Sequence, residues 1–121
     1  MLFRSLAADL FEIRPVLPYP DDYEQTVEQA RQATTLGAFI EFTSGTLATA
    51  NAQAKVDRLA DDIRAVGIDH AILSSDLGQA GNPLPADGYA TYMEALRRKG
   101  FTDQELDRMA KQNPARLLGL Q

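Results

Sequence analysis

Two glycines, Gly37 and Gly67, lie thirty residues apart, and each ends a helical pattern and precedes a short apolar run. Glycine often ends a helix because it adopts the left-handed conformation at no steric cost. A period of about thirty residues is typical of a repeated strand–helix unit. We therefore predict an α/β fold class, with parallel strands joined by helical crossovers.

Three strands are predicted from the residue pattern. A weakly alternating run over 11–17 contains Pro15 and is typical of a short or edge strand. The apolar runs at 38–43 and 71–73 are bounded by turn residues, as the buried strands of a parallel sheet are. These runs are the framework of the predicted sheet.

Apolar residues at helical spacing predict helices over about 21–36, 52–66 and 86–99. Thr102 and Glu105 have the spacing of a capping box, which begins a further helix. We expect Asn113-Pro114 to stop that helix and to start a last short turn. One domain is expected over 11–121. Residues 1–10 have no clear pattern, and we expect an N-terminus that is unstructured or that does not belong to the natural protein.

The composition excludes several kinds of site. The 121 residues carry a net charge of −5 without a basic stripe, which argues against nucleic acid as a partner. No apolar run approaches the roughly 20 residues that span a bilayer. With no cysteine and one histidine, the chain cannot build a thiolate or multi-histidine metal site from its own residues. The acidic charge and the lack of cysteine lead us to expect a cytoplasmic protein.

The candidate site lies where the apolar run 71–73 ends. Asp76 follows that run, and α/β folds place their chemistry at the carboxyl ends of parallel strands. Its carboxylate could serve as a metal ligand, a general base or a phosphate acceptor. The alternative is that Asp76 only caps the loop, since aspartate is a common turn former.

Three further residues are candidates for substrate binding. Glu41 lies inside the run 38–43 and could reach the same mouth of the sheet, or it could be a solvent-facing or salt-bridged glutamate. Gln79 and Asn82 could offer amide groups to a ligand, or they could simply form the turn. His70 is assigned a structural role, because six residues of strand at ~3.3 Å each place it roughly 20 Å from Asp76.

The segments Ala71-Ile-Leu-Ser-Ser-Asp76 and Asn113-Pro-Ala-Arg-Leu-Leu-Gly-Leu120 together resemble the amidohydrolase superfamily. The longer run 74–85 and the run 37–43 are similar to one branch of these metal-dependent hydrolases, and the resemblance extends from Ile13 to Leu120. It implies a TIM barrel with its active site at the carboxyl ends of the strands. It also implies that Asp76 is the final metal ligand and the proton shuttle.

The resemblance implies a substrate that is a small amide, lactone, ester or phosphoester. A full barrel takes about 250 residues, so this chain would supply about three strand–helix units and the C-terminal helices. The superfamily's His-x-His pair and later metal histidines have no counterpart here. We therefore expect the C-terminal fragment of a longer hydrolase. We expect the parent to bind a divalent metal, zinc being the first choice, and this chain to bind none and to be inactive alone.

Two other readings remain open. A small acidic receiver-like module also carries a reactive aspartate at a strand end, although the chain offers few strands for it. A binding module of three strands would have two open sheet edges, through which it could associate with itself.

Overall fold

The computed structural model describes residues 16–18, 27–44 and 52–120. Within these ranges the chain is a mixed α/β protein, mostly helical, with a small parallel sheet. Its elements in chain order are β1 (Val16–Pro18), α1 (Val27–Thr35), β2 (Phe39–Thr43), α2 (Ala52–Val66), β3 (Ala71–Ser74), α3 (Pro85–Arg98), α4 (Asp103–Asp107) and α5 (Asn113–Leu117). The expectations for residues 1–10 and for a helix starting at 21 fall outside the described residues.

The strands pair in the order of the chain. β2 lies between β1 and β3, and both pairings are parallel. Gly37 and Gly67 have positive φ angles of 84° and 106°, as expected where a helix ends and the chain turns into the next unit. The thirty-residue repeat thus predicted the α/β class and the direction of the strands correctly.

Alternation along β2 and β3 divides the sheet into two faces. Ile40 and Phe42 of β2 and Ala71 and Leu73 of β3 share one buried cluster with helical residues. Those residues come from α1, α2, α3, α4 and the turn after α4: Ala30, Ala33, Ala60, Ile63, Val66, Tyr92, Leu96, Leu106 and Met109. All these helices therefore pack on one face of the sheet.

The C-terminal helix does not end at Pro114, so that prediction was wrong. The turn Arg108–Gln112 is a π-helix that joins α4 to α5 without a break. The N–H of Asn113 donates to the carbonyl of Arg108, five residues back. Pro114 has no N–H and would clash with a carbonyl four residues back in a regular helix. The wider turn relieves this conflict, so the chain stays helical through the proline.

Asn113 ties this C-terminal helix to the beginning of β3. Its side chain is fully buried, and its amide nitrogen donates to the carbonyls of Ile68 and Ala71, both at 2.7 Å. Arg116 donates to the side-chain oxygen of Asn113 at 3.1 Å and to the carbonyl of Asp69 at 3.2 Å. The Asn-Pro-Ala-Arg segment is therefore a hydrogen-bonded clamp on the segment that leads into β3.

A second clamp joins α2 to α4. The guanidinium of Arg64 lies 3.9 Å from the centre of the Phe101 ring, and its Nη2 donates to Glu105 at 3.0 Å. Glu105 also completes the predicted capping box with Thr102. The hydrogen bond from Arg64, and then that from the backbone N–H of Thr102, lower the pKa of the Glu105 carboxyl. One carboxylate thus fixes both the start of α4 and its contact with α2.

We predict that Asn113→Ala lowers the free energy of unfolding by about 3 kcal/mol, because two carbonyls near β3 lose their donor. Urea denaturation measures the change. Gln112→Ala, at the neighbouring exposed position, is the control and should stay within about 0.5 kcal/mol of the wild type. An Asn113→Ala protein as stable as this control would contradict the clamp.

We predict that the clamp at Glu105 is lost in acid. Because folding lowers the pKa of Glu105, its contribution is fully present above the unfolded value of about 4.3 and disappears as pH falls through the folded value. For a partly exposed pair we expect about 0.5–1 kcal/mol. Urea denaturation between neutral and acidic pH should show the wild type losing its advantage over Glu105→Gln, which keeps the capping bond. A constant difference across this range would refute the prediction.

Candidate functional site

Asp76 lies two residues beyond the end of β3, where the chain leaves the sheet. Its side chain is exposed, and its φ angle is +48°. It is the only residue other than glycine with a positive φ in the part of the chain that the structure describes. Aspartate tolerates this conformation better than most residues, but it still requires support from its neighbours. The carboxylate is therefore presented to solvent at the carboxyl end of the sheet.

The loop after Asp76 is held by its own polar groups. The amide nitrogen of Gln79 donates to the backbone carbonyl of Asp76 at 3.1 Å. Asn82 donates to the side-chain oxygen of Gln79 at 2.9 Å. The two amides predicted to bind substrate thus act together to shape the loop around Asp76. Their binding of a substrate stays a prediction.

Glu41 lies on the face of the sheet opposite to the helices. The hydroxyl of Ser74 on β3 donates to its carboxylate at 2.6 Å, and both side chains are half-buried. In the register of the sheet Glu41 is opposite Ile72 and Thr43 is opposite Ser74. Ser74 is therefore the diagonal neighbour of Glu41, two residues further along β3 on the same face. A carboxylate within a sheet requires such a donor. Glu41 is neither fully solvent-facing nor salt-bridged among the described residues.

Ser44 extends the pairing of β2 and β3 towards Asp76. Its N–H donates to the carbonyl of Ser74 at 3.0 Å, and its hydroxyl donates to the carbonyl of Ser75 at 2.8 Å. Ser44 is buried, although it follows the last residue of β2. The residue pattern alone predicted no role for Ser44. The signal was present in the small polar residues that end both strands, Thr43-Ser44 and Ser74-Ser75.

Two tyrosines of α3 reach across the core to the same end of the sheet. Tyr89 donates to the carbonyl of Leu73 at 3.1 Å, and Tyr92 donates to that of Phe42 at 3.3 Å. Burial raises the pKa of both phenols, so they remain neutral donors. Helical spacing predicted their inward position but not these bonds. These two hydrogen bonds join the last residues of β2 and β3 to α3.

His70 lies at the other end of β3. Its Nδ1 is 3.1 Å from the carbonyl oxygen of Ala38, and its ring is 5.6 Å from that of Phe39. This contact joins the segments that lead into β2 and β3, as expected of a structural histidine. His70 is not part of the Asp76 site.

A divalent metal requires more ligands than this site supplies. Among residues 27–44 and 52–120, no group of three or more His, Cys, Asp or Glu side chains could hold a metal ion. The exposed Asp76 carboxylate offers one ligand of the four that zinc usually takes. The residues described here do not by themselves fit a metal centre.

We predict that the Ser74–Glu41 hydrogen bond contributes measurably to stability. In a double-mutant cycle with Ser74→Ala and Glu41→Ala, the coupling energy should be about 1–2 kcal/mol, as for a hydrogen bond to a charged group. Thermal or urea denaturation of the four proteins measures it. Additive effects, within about 0.3 kcal/mol, would mean that the two groups do not interact in solution.

Comparison with known proteins gives no family for the chain. No protein-family model and no curated protein matches it. None of the helices in the described ranges is long and apolar enough to cross a membrane.

Proposed function

We propose that this chain forms the last strand–helix units of a metal-dependent hydrolase of the amidohydrolase superfamily, which cleaves a C–N, C–O or P–O bond of a small molecule. One observation carries the proposal. Asp76 lies two residues beyond the last described strand of a parallel sheet, in which the strands keep the order of the chain and helices α1 to α4 pack on one face. That is the position of the reactive groups in a (β/α) barrel.

The strand order supports a barrel rather than a doubly wound sheet. Doubly wound domains, including receivers, reverse their strand order and place helices on both faces, as in the order 2-1-3-4-5. Here the order is β1-β2-β3. In a barrel the helices form the outer ring, and the other face of the sheet lines the interior. Glu41 and Ser74 would then belong to the interior, on the strands that lead to the mouth.

The C-terminal motif adds support. Part of the resemblance rests on the Asn-Pro-Ala-Arg motif. Asn113 and Arg116 of this motif donate hydrogen bonds to carbonyls of the segment 68–71, where the chain enters β3. That segment begins the strand from which Asp76 projects. The motif is therefore linked to the candidate site through a single short strand.

In the proposed enzyme, Asp76 accepts and returns a proton at the mouth of the barrel. A carboxylate in this position can take the proton of an attacking water and deliver it to the leaving group. Asp76 is the one candidate metal ligand at this site among the described residues, so the others of such a centre would come from outside the described ranges. For this reason we also propose that the 121-residue chain is inactive alone.

Self-association is compatible with this proposal. β3 is the last strand of the sheet, and within the described ranges no strand pairs with its outer edge. A neighbouring strand of a longer protein or of a second copy could pair there.

The first experiment reads the genomic DNA upstream of the codon for Met1. The proposal predicts a continuous reading frame that encodes a His-x-His pair after an early strand. An in-frame stop codon followed by a ribosome-binding site would contradict it. The encoded protein would then be assayed with zinc or manganese on an ester, a lactone, a phosphotriester and an amide.

We predict that Asp76→Asn lowers the kcat of this hydrolysis by about 10²–10⁴-fold, because the proton transfer is lost. Asp61→Asn, on the exposed side of α2, is the matched control and should leave kcat unchanged. The 121-residue chain assayed alongside should show no metal-dependent hydrolysis. Activity of the short chain, or an Asp76→Asn protein as active as the control, would overturn the proposal.

A further inference from the structure

Gly88 lies in the first turn of α3, where a glycine weakens the helix relative to alanine. Its N–H makes a normal helical hydrogen bond to the carbonyl of Leu84 at 2.9 Å. It is not among the glycines with a positive φ angle. Backbone conformation therefore does not explain the glycine, and the explanation must lie in the space beside it.

That space is filled by Leu77. A Cβ atom placed on Gly88 would lie 2.1 Å from Cδ1 of Leu77, far inside contact distance, and 3.6 Å from Cβ of Pro83. The missing side chain of Gly88 thus forms a notch in α3, and the end of the Leu77 side chain occupies it. We call this contact the Gly88 notch.

Leu77 is the residue that follows Asp76. Leu77 is half-buried, whereas every other residue from Asp76 to Asp87 is exposed. Its N–H lies 3.4 Å from the hydroxyl oxygen of Ser75, a long contact that holds the chain weakly. The apolar anchor of the exposed loop is therefore the Leu77 side chain in the Gly88 notch.

We propose that Gly88 is a positioning residue, whose notch seats Leu77 and thereby fixes the Asp76 carboxylate at the mouth of the sheet. Asp76 has a positive φ, a conformation that persists only where its neighbours hold it. Leu77 supplies that hold on the C-terminal side. The inference rests on the proposed function, in which Asp76 is the reacting carboxylate.

The structural part of the test uses the 121-residue chain and the backbone amide signals of Ser75, Asp76, Leu77 and Gly78 in ¹H–¹⁵N NMR spectra. Gly88→Ala should shift or broaden these signals, since the Cδ1 end of the Leu77 side chain must move out of the notch. Ala90→Gly, an exposed change in the same helix, is the control and should leave them unmoved. Unmoved signals in Gly88→Ala, together with the higher melting temperature that alanine normally gives a helix, would overturn the proposal.

The functional part of the test uses the longer protein encoded by the extended reading frame, in which hydrolysis is expected to depend on Asp76. Gly88→Ala should lower kcat by about a hundredfold, the effect of a displacement near 1 Å, while KM changes little. Leu77→Ala should also lower kcat, and the double variant should be no worse than Leu77→Ala alone. A Gly88→Ala enzyme with unchanged kcat would refute the positioning role. Shifted amide signals without Asp76-dependent hydrolysis in any variant would mean that the notch exists and the proposed function fails.

Discussion

The strict alternation of side chains along β2 and β3 is the constraint on which the rest of the structure depends. It directs Ile40, Phe42 and Leu73 towards the helices and leaves Glu41 and Ser74 on the opposite face. A shift of one residue in register would exchange the two sets, burying a carboxylate in the apolar core. Helices α1 to α4 pack on the first of these faces, while the opposite face combines the buried apolar side chains of Phe39 and Ile72 with the half-buried Glu41 and Ser74 nearer the carboxyl end of the sheet.

Two kinds of contact then position the end of β3. The strand itself is held by backbone and tyrosine hydrogen bonds, since Ser44 and Tyr89 bind carbonyls of its last residues. The chain beyond it is held by packing, because Leu77 fills the notch at Gly88. Asp76 lies between these two fixed points. The backbone on both sides can therefore give the exposed Asp76 side chain a defined place.

The sequence predicted those features that depend on local pattern. The bounds of β2, α2 and α3 and the capping box of Thr102 and Glu105 follow from periodicity and turn chemistry. The predicted helix end at Pro114 was wrong, because a widened helical turn accommodates a proline that would clash in a regular helix. The position of Asp76 after a strand was predictable. The bonds of Gln79 and Asn82 within the loop, and the fit of Leu77 against Gly88, were not, because they arise only when distant or flexible segments come together.

The clamp at Asn113 has a consequence for the order in which the chain can fold. The carbonyls that it binds belong to residues made 45 and 42 positions earlier in synthesis. Until the last helix leaves the ribosome, these groups lack their partner, and the strand that presents Asp76 is only partly secured. Contacts of such long sequence separation slow folding, because the loop between them must be closed first. The sheet can begin to assemble from its local crossovers, but the beginning of β3 gains these two hydrogen bonds only after Asn113 has been synthesised.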